Sequence, residues 1–393
     1  MARFGKGERA QKFSREFSDE PPFQSGGSSG LGWPRRFKWN TINNSLGKKL
    51  NNRNAALSAK TSDIKQTRRL VDFCGRTITY LRVSLTQKCN LRCGYCFGSV
   101  DKNQIDKREM TNTEILRLIQ SFVSLGINKV RFTGGEPLLR RAIADLVKGT
   151  SALPGISIVG LTTNGLLLNN FLPALVNAGL NRINISLDSL DRDAFRRITG
   201  IDGFQRVLTG IENAENSGAF PWVKINTVVM RGINDSEIPR FAEWALSHRI
   251  DIRFIEFMPT ENSGWDKDLF MAESEIREKI GLALEEEVAK GDNNGPARRF
   301  RFRDYPGRVS FISAASRSFC NQCNRLRLTS RGDVFGCLFQ NNRAGLKKLL
   351  EIAATGDDIS EHIVKVIARP GFRRPPGEVS ITEYEPYMQA VGG

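Results

Sequence analysis

Histidine is scarce in this chain, and long apolar runs and a nucleotide phosphate loop are lacking. Only 2 of the 393 residues are His, which leaves few imidazole ligands for a zinc site. No uninterrupted apolar run approaches the roughly 18 residues of a transmembrane helix, so the sequence predicts no membrane span. No GxxxxGK[ST] stretch occurs, and a bound polyphosphate would therefore be held by side-chain cations.

Acidic residues are missing from one long stretch near the N-terminus. Residues 21–62 contain none, and the first 60 residues carry 12 Lys or Arg against 4 Asp or Glu. Such a basic, Gly-, Ser- and Asn-rich segment buries too little apolar surface to offset its ordering entropy, so we expect residues 1–62 to be a disordered extension. The composition also fits a transit peptide, which predicts the mitochondrial matrix in a eukaryotic source and the cytoplasm otherwise.

From about residue 63 the pattern alternates between strands and helices. The predicted strands are Ile78–Leu85, Lys129–Phe132, Ile156–Leu161, Asn181–Leu187, Trp222–Met230 and Asp251–Phe257. The predicted helices are Thr113–Leu125, Arg140–Lys148, Leu168–Ala178, Phe204–Ser217 and Ser236–Ser247. Strand–helix units in succession predict an α/β fold with a parallel sheet.

Several predicted strands carry polar side chains on one face, whereas a fully covered parallel strand is apolar on both. Arg82, Arg131 and Lys224 belong to such polar faces. A closed eight-stranded barrel fills its interior with apolar side chains, so cationic inner faces indicate a sheet curled around a charged ligand. We predict a partial, open (β/α)6 barrel over residues 63–290, with its ligand site at the carboxyl ends of the strands. The alternative is an antiparallel sheet with one solvated face, which needs hairpin turns in place of helical connections.

Three cysteines follow the first predicted strand directly, at Cys89, Cys93 and Cys96. Three thiolates can hold one compact soft-metal centre but leave the four-ligand shell of a structural zinc site incomplete. An iron–sulfur cluster held by three cysteines keeps one iron open for a small molecule. The alternative is a buried or redox-paired cysteine group.

A second set of three cysteines lies in the C-terminal part of the chain, residues 291–393, at Cys320, Cys323 and Cys337. The turn sequence of residues 330–333 predicts a hairpin that brings the third cysteine back toward the first two. A zinc ribbon is an alternative, but the remaining candidate ligands, Cys74, His248 and His362, are not at its spacing. We therefore expect a second iron–sulfur cluster in this C-terminal module, and a core position for Cys74.

The second predicted strand ends in the turn sequence Thr133-Gly134-Gly135-Glu136-Pro137. The two glycines allow a backbone to approach a ligand closely, Glu136 offers a carboxylate to an ammonium group, and the proline ends the strand. By itself this is an ordinary turn. Its position, one strand after the first cysteine set, makes it a candidate ligand-binding loop.

The spacing CxxxCxxC combined with this glycine turn resembles the radical S-adenosylmethionine (SAM) superfamily. In that superfamily the open iron binds SAM, and the reduced cluster yields a 5'-deoxyadenosyl radical. Further motifs make the chain, from about residue 72 onward, similar to the GTP 3',8-cyclase family of molybdenum cofactor biosynthesis. These motifs are Thr162-Thr163-Asn164-Gly165, Asn184-Ile185-Ser186-Leu187-Asp188, the run from Cys320 to Leu328 with Cys337, and Gly392-Gly393.

The resemblance implies conversion of GTP to (8S)-3',8-cyclo-7,8-dihydroguanosine 5'-triphosphate with two 4Fe-4S clusters and SAM. Cys89, Cys93 and Cys96 would bind the SAM cluster, and Cys320, Cys323 and Cys337 an auxiliary cluster that holds the guanine. SAM contacts are expected at Tyr95, Gly134, Gly135, Glu136, Ser186 and Met258. GTP contacts are expected at Arg82, Arg131, Thr162, Lys224, Arg325, Leu326 and Arg327, of which Arg327 would orient the substrate for catalysis.

The family usually has Met-Pro after its third cysteine, where this chain has Phe97-Gly98, so we expect SAM to be shielded differently there. The Gly392-Gly393 tail is expected to enter the active-site pocket. Implied partners are GTP, an electron donor that the resemblance does not identify, the downstream cyclic pyranopterin monophosphate synthase and a second copy of the chain as a homodimer, but no nucleic acid or membrane. The alternatives are another radical SAM enzyme with an auxiliary cluster and a basic zinc-binding nucleic-acid module, which the net charge of +16 favours and the polar barrel faces do not.

Overall fold

The computed structural model describes residues 69–96, 109–259, 266–287, 295–317, 319–339, 342–352 and 355–375. The predictions for residues 1–62, for Phe97-Gly98 and for Gly392-Gly393 lie outside the described residues. Within them, no helix is long and apolar enough to cross a membrane.

All strands of the described residues belong to one twelve-stranded sheet. In chain order they are β1 (Tyr80–Ser84), β2 (Lys129–Thr133), β3 (Ile158–Thr163), β4 (Arg182–Ser186), β5 (Val223–Val229), β6 (Ile250–Glu256), β7 (Glu285–Glu287), β8 (Arg298–Arg301), β9 (Arg308–Ile312), β10 (Arg325–Leu328), β11 (Asp333–Phe335) and β12 (Arg343–Gly345). The first six pair with one another in chain order, all parallel. This confirms the predicted six-stranded parallel core of an α/β fold.

Nine α-helices occur in the described residues. They are α1 (Asn112–Ser124), α2 (Ile143–Ser151), α3 (Leu168–Asn177), α4 (Arg192–Thr199), α5 (Phe204–Asn216), α6 (Ile238–Ser247), α7 (Glu273–Ile280), α8 (Lys347–Ile352) and α9 (Gly356–Ile367). The predicted helix at Arg140–Lys148 begins three residues too early, because Ala142 is left-handed, with φ of 57°, and helix α2 starts only after it.

Helix α4 was not among the predicted elements, although both of its ends carry ordinary sequence signals. The side chain of Asp191 accepts a hydrogen bond from the backbone N–H of Ala194 at 2.8 Å, as an N-cap residue does. Gly200 ends the helix with φ of 70°, in the left-handed region that favours glycine. The helix is only eight residues long, and its buried face consists of Ala194, Phe195, Ile198 and Thr199, so the two caps were the clearest signals of its ends.

The C-terminal strands extend both edges of the parallel core. Strand β10 pairs in parallel with β1 and then antiparallel with β11, while β9 pairs in parallel with β6 and then antiparallel with β8. The β10–β11 pair is the hairpin predicted from the turn at residues 330–333. Strands from both sides of residue 290 belong to one sheet, and the expected division into 63–290 and 291–393 stays a prediction.

The hydrophobic core lies between the sheet and its helices. Many apolar side chains of β1 to β6 belong to one buried cluster, and Leu81, Phe132 and Ile183 are completely buried members of it. The alternate side chains of the same strands face the concave side of the sheet, where polar residues collect. Cys74, expected in the core, is instead half-buried, and its backbone N–H donates to Asp72 Oδ1 at 3.0 Å.

Candidate active site

The first cysteine triad lies in the loop that follows β1. Main-chain hydrogen bonds hold this loop against the end of α4: the N–H of Arg92 donates to the carbonyl of Thr199 at 2.8 Å, and the N–H of Gly94 to that of Ile198 at 3.2 Å. The N–H of Cys96 donates to the carbonyl of Cys93 at 2.9 Å. The helix that the sequence did not predict is therefore the support of the first triad.

The glycine turn after β2 packs directly on the cysteine loop. The N–H of Gly135 donates to the carbonyl of Thr86 at 2.8 Å. A Cβ on Gly135 would lie 2.2 Å from the carbonyl oxygen of Lys88, and one on Gly134 would lie 2.6 Å from that of Thr86. These contacts require glycine. The close approach expected for a ligand is thus made to the backbone that leads into the first triad.

Glu136 joins the turn after β2 to the turn after β3. Its fully buried carboxylate accepts hydrogen bonds from the N–H of Leu138, from Thr163 Oγ1 and from the N–H of Asn164, at 3.0, 2.7 and 2.7 Å. Burial raises the pKa of Glu136 to about 7, against the effect of these donors. The structure gives this residue a role in fixing two loops, and its contact with the SAM ammonium group stays a prediction.

Asn164 connects this loop pair to the first cysteine. Its Nδ2 donates to Asn90 Oδ1 at 2.8 Å and lies 3.7 Å from Cys89 Sγ, which also accepts from the N–H of Leu91 at 3.4 Å. Donors directed at a cysteine sulfur are what an iron–sulfur ligand requires. The sequence motif at residues 162–165 contains Asn164, but the residue had not been selected for the site.

Tyr95 lies between the cysteines and the end of β4. Its Oη donates to Asp188 Oδ2 at 2.6 Å, and the N–H of Val228 donates to Asp188 Oδ1 at 2.9 Å. Burial raises the pKa of Asp188 to about 6, and burial together with that carboxylate raises the pKa of Tyr95 well above its usual value. Burial likewise raises the pKa of Cys93, with Asp188 adding to the effect. The first triad therefore has acidic neighbours.

A cavity on the concave side of the sheet gathers the basic residues of the strands. Its lining contains nine Lys or Arg and no Asp or Glu among the described residues. The nine cations are Arg82, Lys129, Arg131, Lys224, Arg253, Arg299, Arg325, Arg327 and Arg374. Eight of them come from β1, β2, β5, β6, β8 and β10, and Arg374 follows the last helix, so the curled sheet contributes most of the site. An anionic ligand fits this lining, whereas a cationic one would be repelled.

Tyr80 lies among these cations and was not selected from the sequence. Arg131 Nε donates to its Oη at 3.0 Å, and the Lys129 ammonium lies 4.3 Å from the centre of its ring. Burial raises the pKa of Tyr80, but the surrounding cations, Arg131 foremost, lower it further, to about 7. The alternation of β1 puts Tyr80 on the same face as Arg82, which is the signal that could have identified it.

Asp251 is a buried carboxylate on β6 that binds Arg253, one of the cavity cations. Its Oδ2 accepts hydrogen bonds from Arg253 and Arg308, each at 3.2 Å, and its Oδ1 accepts one from Ser310 at 2.6 Å. Although burial opposes it, these cations lower the pKa of Asp251 to about 2. The positive charge of Arg253 in turn lowers the pKa of Lys224 well below its usual value. Cations that repel one another in this way indicate a binding site for an anion.

All three cysteines of the second triad line the same cavity, and none of the first triad is among its described lining residues. Cys320 begins a short 3-10 turn, and Cys337 follows β11. The N–H of Phe339 donates to Cys337 Sγ at 3.4 Å, and Arg373 Nη2 to Cys323 Sγ at 3.3 Å. Burial raises the pKa of Cys323, but Arg325 and Arg373 lower it further, to about 7.

Each triad offers three thiols, a donor set that fits an iron–sulfur cluster. All seven cysteines are described and none forms a disulfide. Both sets contain sulfurs that accept N–H groups, as cluster ligands do.

The predicted substrate residues divide between the cavity and its surroundings. Arg82, Arg131, Lys224, Arg325 and Arg327 line it, as does Met258. The side chain of Leu326 lies in the hydrophobic core, and its expected contact with substrate stays a prediction. Thr162 Oγ1 is buried without a hydrogen-bond partner among the described residues. The residues predicted for SAM, apart from Met258, lie at the first triad and at the ends of β2 and β4, and their roles stay predictions.

Comparisons with known proteins agree with this arrangement. Residues 83–245 match the family model of the Radical SAM superfamily, and residues 250–373 match Molybdenum Cofactor Synthesis C. The fold is shared with SuiB of Streptococcus suis, solved with the precursor peptide SuiA, with a TM-score of 0.54 at 16% identity over 88% of this chain and 74% of SuiB. The fold and the two family models define a radical SAM enzyme with a C-terminal molybdenum cofactor synthesis region.

Curated relatives narrow this class to one family. The GTP 3',8-cyclase of Thermodesulfovibrio yellowstonii is 42% identical over 82% of this chain and 99% of its own length. That of Geobacter sulfurreducens is 44% identical over 72% of this chain and 87% of its own length. This chain therefore belongs to the GTP 3',8-cyclase family. Molybdenum cofactor biosynthesis protein 1 of Mus musculus is 39% identical over 76% of this chain. The match covers 47% of that longer protein.

Proposed function

We propose that this chain converts GTP to (8S)-3',8-cyclo-7,8-dihydroguanosine 5'-triphosphate, in molybdenum cofactor biosynthesis. The observation that carries the proposal is the cavity in which nine cations and no carboxylate of the described lining adjoin a three-cysteine set. A triphosphate would satisfy the cations, and a metal cluster held by these three cysteines would offer an open position to a base nitrogen or oxygen. A nucleoside triphosphate meets both demands, and GTP is the substrate named for the curated relatives.

The cations would hold the triphosphate without a phosphate loop. Arg253 is kept extended by Asp251, with Nη2 to Oδ2 at 3.2 Å, and Arg131 is kept by the carbonyl of Leu161, with Nη1 to O at 2.7 Å. Guanidinium groups fixed in this way lose little side-chain entropy when phosphate arrives. The mutual repulsion of the cations, which lowers the pKa of Lys224, would be relieved by the ligand.

The first triad would hold the cluster that binds SAM. When bound and reduced, this cluster supplies the electron that cleaves SAM to the 5'-deoxyadenosyl radical. Around it, the chain's own residues orient the ligands: Tyr95 is fixed by Asp188, and the glycine turn seats the cysteine loop. SAM carries a sulfonium and an ammonium charge, which the acidic neighbours of this triad favour.

The second triad would hold a second 4Fe-4S cluster that binds the guanine. Its sulfurs line the cavity beside Arg325 and Arg327, so a base held there would have its phosphates within the cationic part. Hydrogen abstraction from the ribose depends on holding this geometry to within a fraction of an ångström, a positioning effect of large magnitude. The strand alternation that points Arg325 and Arg327 inward while Leu326 enters the core provides that rigidity.

Anaerobically purified, reconstituted chain tests the proposal directly. We expect about eight irons with matching sulfide per chain, and, with dithionite and SAM, formation of both 5'-deoxyadenosine and the cyclised nucleotide from GTP. ATP at the same concentration serves as the matched substrate control. About one zinc and no iron would contradict the proposal, as would SAM cleavage that never yields cyclised GTP.

The remaining expectations belong to the same proposal. GTP is the substrate partner, a separate electron donor is required, and cyclic pyranopterin monophosphate synthase would act on the product downstream. A homodimer is expected, as are the mitochondrial matrix in a eukaryotic source and the cytoplasm otherwise. Size-exclusion chromatography with light scattering tests the first of these two, and fluorescence microscopy of a tagged chain in its native source tests the second.

A further inference from the structure

A buried group of one carboxylate and two guanidinium groups lies behind the second cysteine triad. We call Asp72, Arg76 and Arg373 the arginine clamp. Arg373 Nη1 and Arg76 Nε both donate to Asp72 Oδ2, at 2.6 and 2.7 Å, and none of the three side chains is more than 9% exposed. Removing such charges from water is costly unless they are well paired. Their position beside the cysteines indicates that they hold the second triad in place.

Arg373 joins the two parts of the second triad. Its Nη2 donates to the carbonyl of Cys323 at 2.7 Å and to Cys323 Sγ at 3.3 Å, while its Nε donates to the carbonyl of Gly336 at 3.3 Å. Gly336 directly precedes Cys337, so one guanidinium spans the CxxC turn and the returning strand. Arg76 adds a bond from Nη1 to the carbonyl of Cys320 at 2.8 Å. Each cysteine of the triad, or its neighbour, is therefore bound to the clamp.

Steric fit at Gly336 supports the same arrangement independently. A Cβ at this position would lie 2.1 Å from the carbonyl oxygen of Phe372 and 2.5 Å from Arg373 Cγ. Only glycine lets the segment that carries Arg373 come this close to the cysteine strand. The neighbouring Arg374 lines the cavity, whereas Arg373 is not among its described lining residues, so the two adjacent arginines have different surroundings.

The charges of the clamp do not cancel. Two guanidinium groups share one carboxylate, which leaves one positive charge, and Arg373 Nη2 lies 3.3 Å from Cys323 Sγ. Hydrogen bonds and positive charge at a ligand sulfur stabilise the more negative, reduced state of an iron–sulfur cluster, and thereby raise its reduction potential.

We propose that Arg373, held by Asp72 and Arg76, is a positioning residue that fixes the second triad and raises the reduction potential of the cluster bound there. The inference rests on the proposed function, which puts a cluster at this triad. It assigns a task to the clamp residues, which lie outside the residues expected to touch GTP or SAM.

The test uses the full chain with Cys89, Cys93 and Cys96 replaced by Ser, so that only the second cluster remains. Iron and sulfide content are measured first, and the potential then follows from a one-electron titration with dithionite monitored by electron paramagnetic resonance. We expect Arg373→Gln to lower the potential, Arg373→Lys to lower it less, and Asp72→Asn to raise it, because that change removes a negative charge. The exposed Arg369 provides the matched control, Arg369→Gln, which should change neither quantity.

Opposite shifts in Arg373→Gln and Asp72→Asn separate an electrostatic effect from simple loosening of the site, which would move both potentials in one direction. If Arg373→Gln loses its iron while Arg369→Gln keeps it, the positioning role of Arg373 is supported. The effect on the reduction potential is then tested by comparing the potentials of Arg373→Lys and Asp72→Asn. Equal potentials in all iron-loaded variants, or shifts of the same sign, overturn the inference alone. A parent chain without iron at the second triad overturns the proposed function as well.

Discussion

The two cysteine triads lie in surroundings of opposite charge. Asp188 adds to the effect of burial in raising the pKa of Cys93, and the buried Glu136 does so for Cys89. At the second triad, Arg325 and Arg373 lower the pKa of Cys323 to about 7 against the effect of burial. The same thiolate chemistry is thus placed in an acidic setting suited to the cationic SAM, and in a basic setting suited to the anionic GTP.

The two triads also differ in how they are supported. Main-chain hydrogen bonds from Arg92 and Gly94 to the end of α4 fix the first loop. The second triad is tied by arginine side chains that reach it from residues 76 and 373, at the two ends of the described chain. The first triad is consequently held by contacts with a neighbouring helix. The second triad depends on contacts between segments that are far apart in the sequence.

Removing one cysteine from each triad should have the largest effect on activity. Cys93→Ser is expected to abolish both 5'-deoxyadenosine and cyclised nucleotide, because SAM cleavage needs the first cluster. Cys320→Ser is expected to retain SAM cleavage and to form no cyclised GTP, because positioning of the substrate is lost. Both products are followed separately in an anaerobic dithionite assay. Loss of SAM cleavage in Cys320→Ser, with the first cluster intact, would contradict the division.

The cationic side of the comparison is tested at Arg253. Arg253→Gln removes one fixed guanidinium from the cavity and leaves Asp251 with fewer donors. A charge-assisted contact with phosphate contributes about 1.5–3 kcal/mol, so we expect GTP to bind about 10- to 100-fold more weakly while the Kd of SAM is unchanged. Isothermal titration calorimetry measures both.

The control for Arg253 is Arg249→Gln, which removes an exposed arginine one turn of chain away. Arg249 lies four residues before Arg253 and is not among the described residues that line the cavity. Arg249→Gln should therefore leave GTP binding unchanged. An equal loss in both variants would indicate a general charge effect and would sink the assignment of Arg253.

The acidic side of the comparison is tested at Tyr95. Tyr95→Phe removes the hydrogen bond from Oη to Asp188 Oδ2, which is 2.6 Å long, and leaves the ring packed against Phe257. We expect about a tenfold loss in the rate of SAM cleavage, with GTP affinity retained. The exposed Tyr305 offers the control Tyr305→Phe. Weaker GTP binding in Tyr95→Phe would show that the two sites are not separable in this way.

The sequence was sufficient for the sites that rest on short-range patterns. The alternation of β1, β2 and β5 located Arg82, Arg131 and Lys224 in the cavity before any fold was known, because a strand's period of two does not depend on its neighbours. Arg253 and Tyr80 lie on the same faces and were not predicted, although the period of two applies equally to β6 and β1. The same reasoning could have included them.

Long-range contacts are what the sequence could not supply. Arg373 and Asp72 are 301 residues apart, and no local pattern indicates that they meet. Nor does the Gly-Gly-Glu-Pro turn reveal that its glycines serve the approach of two backbones, since the partner, Lys88, is known only once β1 and β2 pair. Such contacts follow from the order of strands in the sheet, which sequence periodicity leaves open.

The smallest expected effect concerns the charge of Tyr80 among the cavity cations. Its pKa in the folded chain is lowered to about 7, against about 10 in an unfolded chain. Between these values the unfolded chain binds one proton more than the folded one, so the free energy of unfolding should rise with pH by at most about 1.4 kcal/mol per unit. This contribution is lost as the pH falls through 7.

The change that isolates this contribution is Tyr80→Phe, which keeps the ring and removes the titrating group. Urea unfolding of both chains, from about pH 6 to about pH 9, should give curves whose difference grows with pH in favour of the wild type. The phenolate band in the ultraviolet spectrum should appear over the same range in the wild type and be missing from the variant. Parallel stability curves would mean that Tyr80 stays protonated and that the cavity cations act on it only through the bond from Arg131. In that case Tyr80 would be neutral and would not offset the positive charge around the second triad. The difference in charge between the two triads would then come from the carboxylates near the first and the arginines near the second.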